Sequence, residues 1–439
     1  MTRALAALLA ALLLVPPALA QPLPTASPQS VGLAPDRLAR IGKALEADIA
    51  QGKLPGAVVA VARRGKVVYL EAFGKLDPKA GTPMTRDAIF RIYSMTKPWT
   101  SVAAMMLVEE GRIQLTDPVS RFLPALKGPR VSVGKPDATG QMIWSLVPAE
   151  REPTIQDLLR HTSGIPYDFV TRNTPAKEAM TAADLNALGA RIRDKVTAAE
   201  MVERLAKIPL VSQPGTTWEY SLSTAVLGRV VEAVSGQRLG DFMAERIFRP
   251  LGMTDSGFVV PAAKASRIAQ PILPYDAITI YDPTVPPAND LGGEGGLSTA
   301  ADYLRFCQML LDGGRVGRPG KAAQGKEDRG PRLLSRTTVA LMTSDHLAGR
   351  PSTPVDPGAL LLGVPGYTFG LGFMVRQGPG VAGVPGSQGE YMWGGAAGTY
   401  FWVDPHEDLA VVFMSQGPFA TRGSYRRLVK QLVHQAIAD

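Results

Sequence analysis

Ser94-Met95-Thr96-Lys97 sets a hydroxyl and an amine three residues apart, a spacing that brings both side chains to one face of a helix. A nucleophile beside a base is the minimum equipment for acyl transfer, because a serine hydroxyl attacks poorly until a neighbour takes its proton. Pro98 follows directly. Its ring clashes with the carbonyl four residues back and is tolerated only in a first turn, so the helix must begin near Ser94 and run on to Gly111. The free N–H groups of that turn then lie where an oxyanion would form. A second Ser-x-x-Lys, Ser132-Val133-Gly134-Lys135, sits among Pro129, Pro136 and Gly140 with no helical run behind it, and reads as coincidence.

Several competing chemistries drop out. The four histidines, His161, His346, His406 and His434, show no metal-ligand spacing, and the single Cys307 excludes an intrachain disulfide or a multi-thiolate site. Cys307 keeps helical spacing with Leu304 and Leu311 and reads as a small buried hydrophobe. The glycine-rich run 292–296 lacks a Gly-Lys-Ser/Thr ending, which discounts phosphate binding, and the chain has no Gly-x-Ser-x-Gly elbow of an α/β-hydrolase. A formal charge of +8 is spread along the chain rather than gathered into a basic, aromatic-laced stretch, so no nucleic-acid partner is expected. Neither a cofactor nor a metal is called for.

The elements that position the motif can be read around it. Residues 1–20 carry Arg3, an apolar run from Ala4 to Val15 and a small-residue ending, Ala18-Leu19-Ala20. This is the pattern of a signal peptide, with Gln21 as the expected mature N-terminus and a periplasmic or secreted destination. No later stretch approaches a membrane span, so no integral membrane segment is expected after cleavage. About 420 remaining residues exceed what one core usually holds, and two lobes are expected. Leu38, Ile41, Leu45 and Ile49 mark an amphipathic helix between Pro35 and Gly52, and 57–62 with 66–72 flank Arg63-Arg64-Gly65 as a β-hairpin. Residues 112–152 hold five prolines and read as loop; 166–196 and 313–332 are candidate lids. Helices are expected over 198–207 and 223–235, with Tyr220 in the turn between them. The last ninety residues change period: runs at 367–375, 390–403 and 408–414 read as strands, followed by a final helix through Leu428 and Val433. The fold expected is α+β, an antiparallel sheet of about five strands flanked by the N- and C-terminal helices. Residues 33–92 and 291–439 would form this sheet lobe, and 93–290 a mostly helical lobe carrying the Ser-x-x-Lys helix.

With Ser94-Met-Thr-Lys97, Tyr220-Ser221-Leu222 and Trp393-Gly394-Gly395 in order along the chain, the sequence resembles the serine β-lactamase and penicillin-binding protein family. Within it the class C-like branch and the family VIII carboxylesterases are nearest, since Trp-Gly-Gly stands where lactamases carry Lys-Thr-Gly. The resemblance implies a β-lactamase/transpeptidase-like fold and an acyl-enzyme on Ser94. It also implies Lys97 in the serine's proton network, Tyr220 as general base, and the N–H groups of Ser94 and Ala396 as oxyanion donors. Gly394 and Gly395 would open the strand edge to a substrate carbonyl. Leu222 replaces the asparagine, and Trp393 the lysine, that meet a lactam's side chain and carboxylate, which tilts the expectation to a small-molecule ester of a short acyl chain. Turnover of β-lactams or D-Ala-D-Ala peptides is the alternative, and an idle envelope binding or sensor protein the second.

Overall fold

The computed structural model describes residues 23–186, 190–272, 278–317, 331–349 and 351–439. The stretch 1–20, expected to be a signal peptide, and most of the 313–332 segment lie outside these residues. Among the described residues no helix is long and apolar enough to cross a membrane.

The centre of the fold is an eight-stranded antiparallel sheet. In chain order its strands are β1 (Gly56–Arg63), β2 (Lys66–Asp77), β3 (Thr82–Pro83), β4 (Tyr367–Phe369), β5 (Met374–Arg376), β6 (Tyr391–Gly394), β7 (Tyr400–Asp404) and β8 (Leu409–Ser415), arranged β3-β2-β1-β8-β7-β6-β5-β4. β1 is buried at every residue because the sheet is covered on both faces, which is why Ala57–Ala62 is a continuous apolar run without alternation. It pairs with β2 through the expected hairpin, whose turn uses positive φ at Arg64 and Gly65. Its other partner is β8, in register from Ala57↔Ser415 to Arg63↔Leu409. The first and last strands of the chain are therefore neighbours at the middle of the sheet.

Eight strands rather than five result from two breaks and one addition. The run 367–375 is cut by Gly370-Leu371-Gly372, with Gly372 at φ +93, and 390–403 folds back at Gly395–Gly398, with Gly398 at φ +100. The two-residue β3 adds an edge. The helix Pro35–Ala50 packs on the C-terminal helix Arg422–His434 and on β1 and β2, while Ala300–Leu311 packs on β1, β7 and β8. Thr299 caps the latter by accepting from Asp302 N, and Cys307 is buried within it as expected.

A buried charge cluster ties the C-terminal helix to the sheet. Glu390 accepts from Lys430 and, at 3.2 Å each, from Arg376 Nη1 and the Tyr367 hydroxyl, all within the interior.

The nucleophile helix, Thr96–Glu109, packs against the helix Ser223–Ser235. The stretch read as loop over 112–152 contains a β-hairpin, Arg130–Pro136 with Met142–Pro148. Its prolines lie at strand ends, where a missing N–H breaks no ladder bond. Ser132 and Lys135 of the second Ser-x-x-Lys fall on this hairpin, and three residues apart on a strand they face opposite ways.

Candidate active site

Ser94 lies in a 3-10 turn, Tyr93–Met95, that leads into the nucleophile helix, so Pro98 sits inside the first turns where its missing N–H breaks no bond. Tyr93 is held at φ +43, a conformation costly for a bulky residue. Its surroundings fix it: Ile92 N donates to Gly296 O at 3.0 Å, and Thr96 Oγ1 donates to Tyr93 O at 2.6 Å while accepting from Gly296 N at 2.8 Å. The glycine-rich loop 292–296 is thus a bracket for the nucleophile, not a phosphate cradle. A Cβ at Gly296 would come within 2.6 Å of Thr96 Oγ1.

Two groups converge on the serine. The Tyr220 hydroxyl donates to Ser94 Oγ at 2.7 Å, and Lys97 Nζ lies 3.1 Å from the same atom. Lys97 Nζ also donates to Gly293 O at 2.7 Å and meets the Tyr167 hydroxyl at 3.2 Å. Burial pushes the Lys97 amine down to about 7, with the Glu294 carboxylate opposing the shift. Burial likewise pushes the Tyr220 phenol well above its usual value near 10, against its hydrogen bond with Ser94. The electrostatics thus bring the amine to half neutral near pH 7, beside a neutral phenol. A phenolate sustained by a lysine cation, the arrangement a tyrosine base requires, is disfavoured on both sides.

The oxyanion edge comes from the eight-stranded sheet. Trp393 and Gly394 end β6, and Gly395-Ala396 turn over the serine, so that Ser94, Tyr220, Trp393 and Ala396 line one narrow cleft. Among the described residues, no acceptor takes the backbone N–H of Ser94 or Ala396. The two glycines line the cleft and are also required by packing. A Cβ at Gly395 would come within 2.2 Å of both Ile92 O and Thr399 Oγ1, and one at Gly394 within 2.9 Å of the Arg426 guanidinium. Arg426, buried in the C-terminal helix, donates to Gly395 O and, at 2.9 Å, to Leu361 O. It holds the carbonyl of the peptide whose N–H is that of Ala396.

Ser94, Lys97, Tyr220, Trp393, Gly394, Gly395 and Ala396 are therefore brought together. Leu222 is not: it is fully buried in the core at the start of the Ser223–Ser235 helix and does not line the cleft. Sequence reasoning missed Tyr167, Glu294 and Arg426. For Tyr167 no local spacing gave a signal, because its partner Lys97 lies 70 residues earlier in the chain. His161 backs Tyr220, its ring 4.9 Å away, with Nδ1 3.2 Å from Ser221 Oγ.

The family model described as Beta-lactamase matches residues 41–435. The chain belongs to the β-lactamase family. Among curated relatives, Protein Rv1367c of Mycobacterium tuberculosis is 37% identical over 379 residues, 83% of this chain and 86% of that protein. Esterase EstB of Burkholderia gladioli is 31% identical over 399 residues, 86% and 90% of the two chains. Among solved structures of the family's fold, EstCE1, described as a hydrolase with promiscuous acyltransferase activity, superposes with a TM-score of 0.70. It is 26% identical and covers 91% of this chain and 99% of its own.

Proposed function

We propose that this β-lactamase-family chain is a serine carboxylesterase acting on esters of short acyl groups. The observation that carries the reading is Ser94 Oγ held by Tyr220 at 2.7 Å and by Lys97 at 3.1 Å, beneath an edge where the family's lysine is Trp393. The relatives described as esterases support it. Neutral Lys97 accepts the Ser94 proton as Oγ bonds to the ester carbonyl carbon, and the N–H groups of Ser94 and Ala396 receive the oxyanion. Collapse breaks the carbon–oxygen bond to the alcohol, whose oxygen takes a proton from Tyr220, and Lys97 reprotonates Tyr220. Water then attacks the acyl-serine by the same relay run in reverse, releasing the acid and free Ser94. Each cycle consumes one ester and one water and needs no cofactor.

The cleft at Ser94 is narrow, about 40 Å³, room for about three water positions at roughly 10–15 Å³ each, which favours acyl groups of few carbons. Replacing the family's lysine by Trp393 removes the cation that would meet a β-lactam carboxylate. The test is hydrolysis of 4-nitrophenyl acetate by wild type and Ser94→Ala, with a chromogenic cephalosporin in parallel. Ester turnover lost in the variant and exceeding cephalosporin turnover is expected; equal ester activity in both proteins sinks the reading. Export is part of the proposal, resting on residues 1–20, and N-terminal sequencing of the extracytoplasmic protein should begin at Gln21.

A further inference from the structure

Tyr220 faces two spaces. One is the narrow cleft at Ser94. The other is a cavity of about 610 Å³, within the roughly 300–1,000 Å³ range of pockets that hold drug-sized ligands. Tyr220 and Leu360 line both. The far wall is built by the hairpin of residues 130–148, where Trp144 lies across from Gly134 and Met142, largely exposed, stands at the rim. A Cβ at Gly134 would come within 2.8 Å of the Trp144 ring, so glycine lets the indole lie over the neighbouring strand. Val170 and Trp218 complete the apolar lining.

One polar group in this cavity stands apart. Glu219, adjacent to Tyr220 in the chain, lines it with a buried carboxylate oxygen, Oε1, that has no hydrogen-bond partner among the described residues. Burial raises its carboxyl from the ordinary value, opposed by a hydrogen bond with Thr171. Oε1 has almost no accessible surface, so a ligand reaches it only when the Glu219 side chain turns toward the cavity, and the cost of leaving a buried carboxylate oxygen without a donor favours that turn.

The reaction geometry says which part of a substrate meets this space. The carbonyl oxygen must lie at the Ser94 and Ala396 N–H groups, and the leaving alcohol oxygen at the Tyr220 hydroxyl that protonates it. The alcohol moiety therefore leaves the cleft beside Tyr220, and the space adjoining it there, across the shared Tyr220 and Leu360 side chains, is this cavity. We propose that the cavity is the subsite for the alcohol part of the ester: a bulky, mainly apolar alcohol carrying a hydroxyl or amine that donates to Glu219. The chain is then selective for large alcohols joined to small acids, with Glu219 a specificity residue. This rests on the carboxylesterase reading above.

The experiment uses acetate esters of matched leaving-group acidity: phenyl, 2-naphthyl and 6-hydroxy-2-naphthyl acetate, with phenyl butyrate and octanoate as the acyl series. In the wild type, kcat/KM should rise at least tenfold from phenyl to 6-hydroxy-2-naphthyl acetate and fall from acetate to octanoate. Glu219→Gln should cut the ratio of hydroxynaphthyl to naphthyl turnover at least fivefold. Val170→Trp, which fills the cavity, should cut the ratio of naphthyl to phenyl turnover at least tenfold. Ratios are independent of the fraction of active enzyme, and the wild-type series needs no variant to fold. Esters hydrolysed with no preference for alcohol size, or ratios unmoved by both substitutions, overturn the subsite while leaving the esterase reading intact. Failure to hydrolyse any ester overturns both.

Discussion

The Lys97 amine, pushed by burial from 10.5 to about 7, makes a quantitative demand on the pH profile. If the neutral amine receives the Ser94 proton, the acylation rate follows the neutral fraction, which is roughly a tenth at pH 6 and nine tenths at pH 8 for a midpoint near 7. Inactivation of Ser94 by a fluorophosphonate isolates this step, since fluoride departs without needing a proton from Tyr220. Its second-order rate constant should rise about tenfold from pH 6 to pH 8 and level off above, with kcat/KM for 4-nitrophenyl acetate rising in parallel. His161 does not compete for the assignment because burial holds it well below 6.5. The same shift bears on stability. The folded pKa lies below the unfolded one, so the unfolded chain binds more protons between about 7 and 10.5, and stability from this group rises with pH across that window. The cost of the buried ammonium, on the order of a few kcal/mol, is fully present below about 7 and relieved toward 10.5. In Lys97→Met the stability gain over wild type should therefore be largest at pH 6–7 and shrink toward pH 10 in urea titrations. A rate constant flat from pH 5.5 to 8.5 refutes the reasoning and returns the base role to a Tyr220 phenolate.

Three further outcomes follow from the contacts. Arg426→Met frees the Gly395 and Leu361 carbonyls and loosens the Ala396 N–H; kcat should fall about 10–100-fold with KM little changed and be partly restored by guanidinium ion, and a change confined to KM would contradict the positioning role. Glu390→Gln leaves the buried Lys430 and Arg376 cations without their carboxylate, a loss of about 3–5 kcal/mol measurable as a lower urea midpoint; an unchanged midpoint refutes the cluster's contribution. Tyr167→Phe removes the oxygen 3.2 Å from Lys97 Nζ, an acceptor for the ammonium, so the inactivation midpoint should move to lower pH; movement to higher pH would show that the phenol serves the neutral amine instead.

What could be read from the sequence was what local physics determines. Pro98 located the helix start, and the apolar run Ala57–Ala62 with the turn Arg63-Arg64-Gly65 marked the hairpin. The elements missed were those whose cause is distant. Nothing local in 390–403 says that the chain reverses at Gly395; the close approach of Ile92 O, some three hundred residues earlier, gives glycine its purpose there. The hairpin of residues 130–148 hid behind prolines that happen to fall at strand ends. Arg426 and Tyr167 act on a backbone carbonyl and an amine far away in sequence, and no spacing rule encodes such partners. Leu222 was placed in the site by alignment with a motif, yet the first turn of its helix carries it into the core.

The pairing of β1 with β8 has a consequence for how this protein is made. A nascent chain that has emerged through residue 300 already carries Ser94, Lys97 and Tyr220, but its sheet lacks the strand that joins its halves, and the Ala396 donor has yet to be synthesised. Every register contact between β1 and β8 spans some 350 residues, so the ordering step waits for the carboxyl-terminal strands and is among the slower kinds of folding event. Acyl chemistry therefore switches on once, at completion of the polypeptide, and fragments released early carry the nucleophile without a working site.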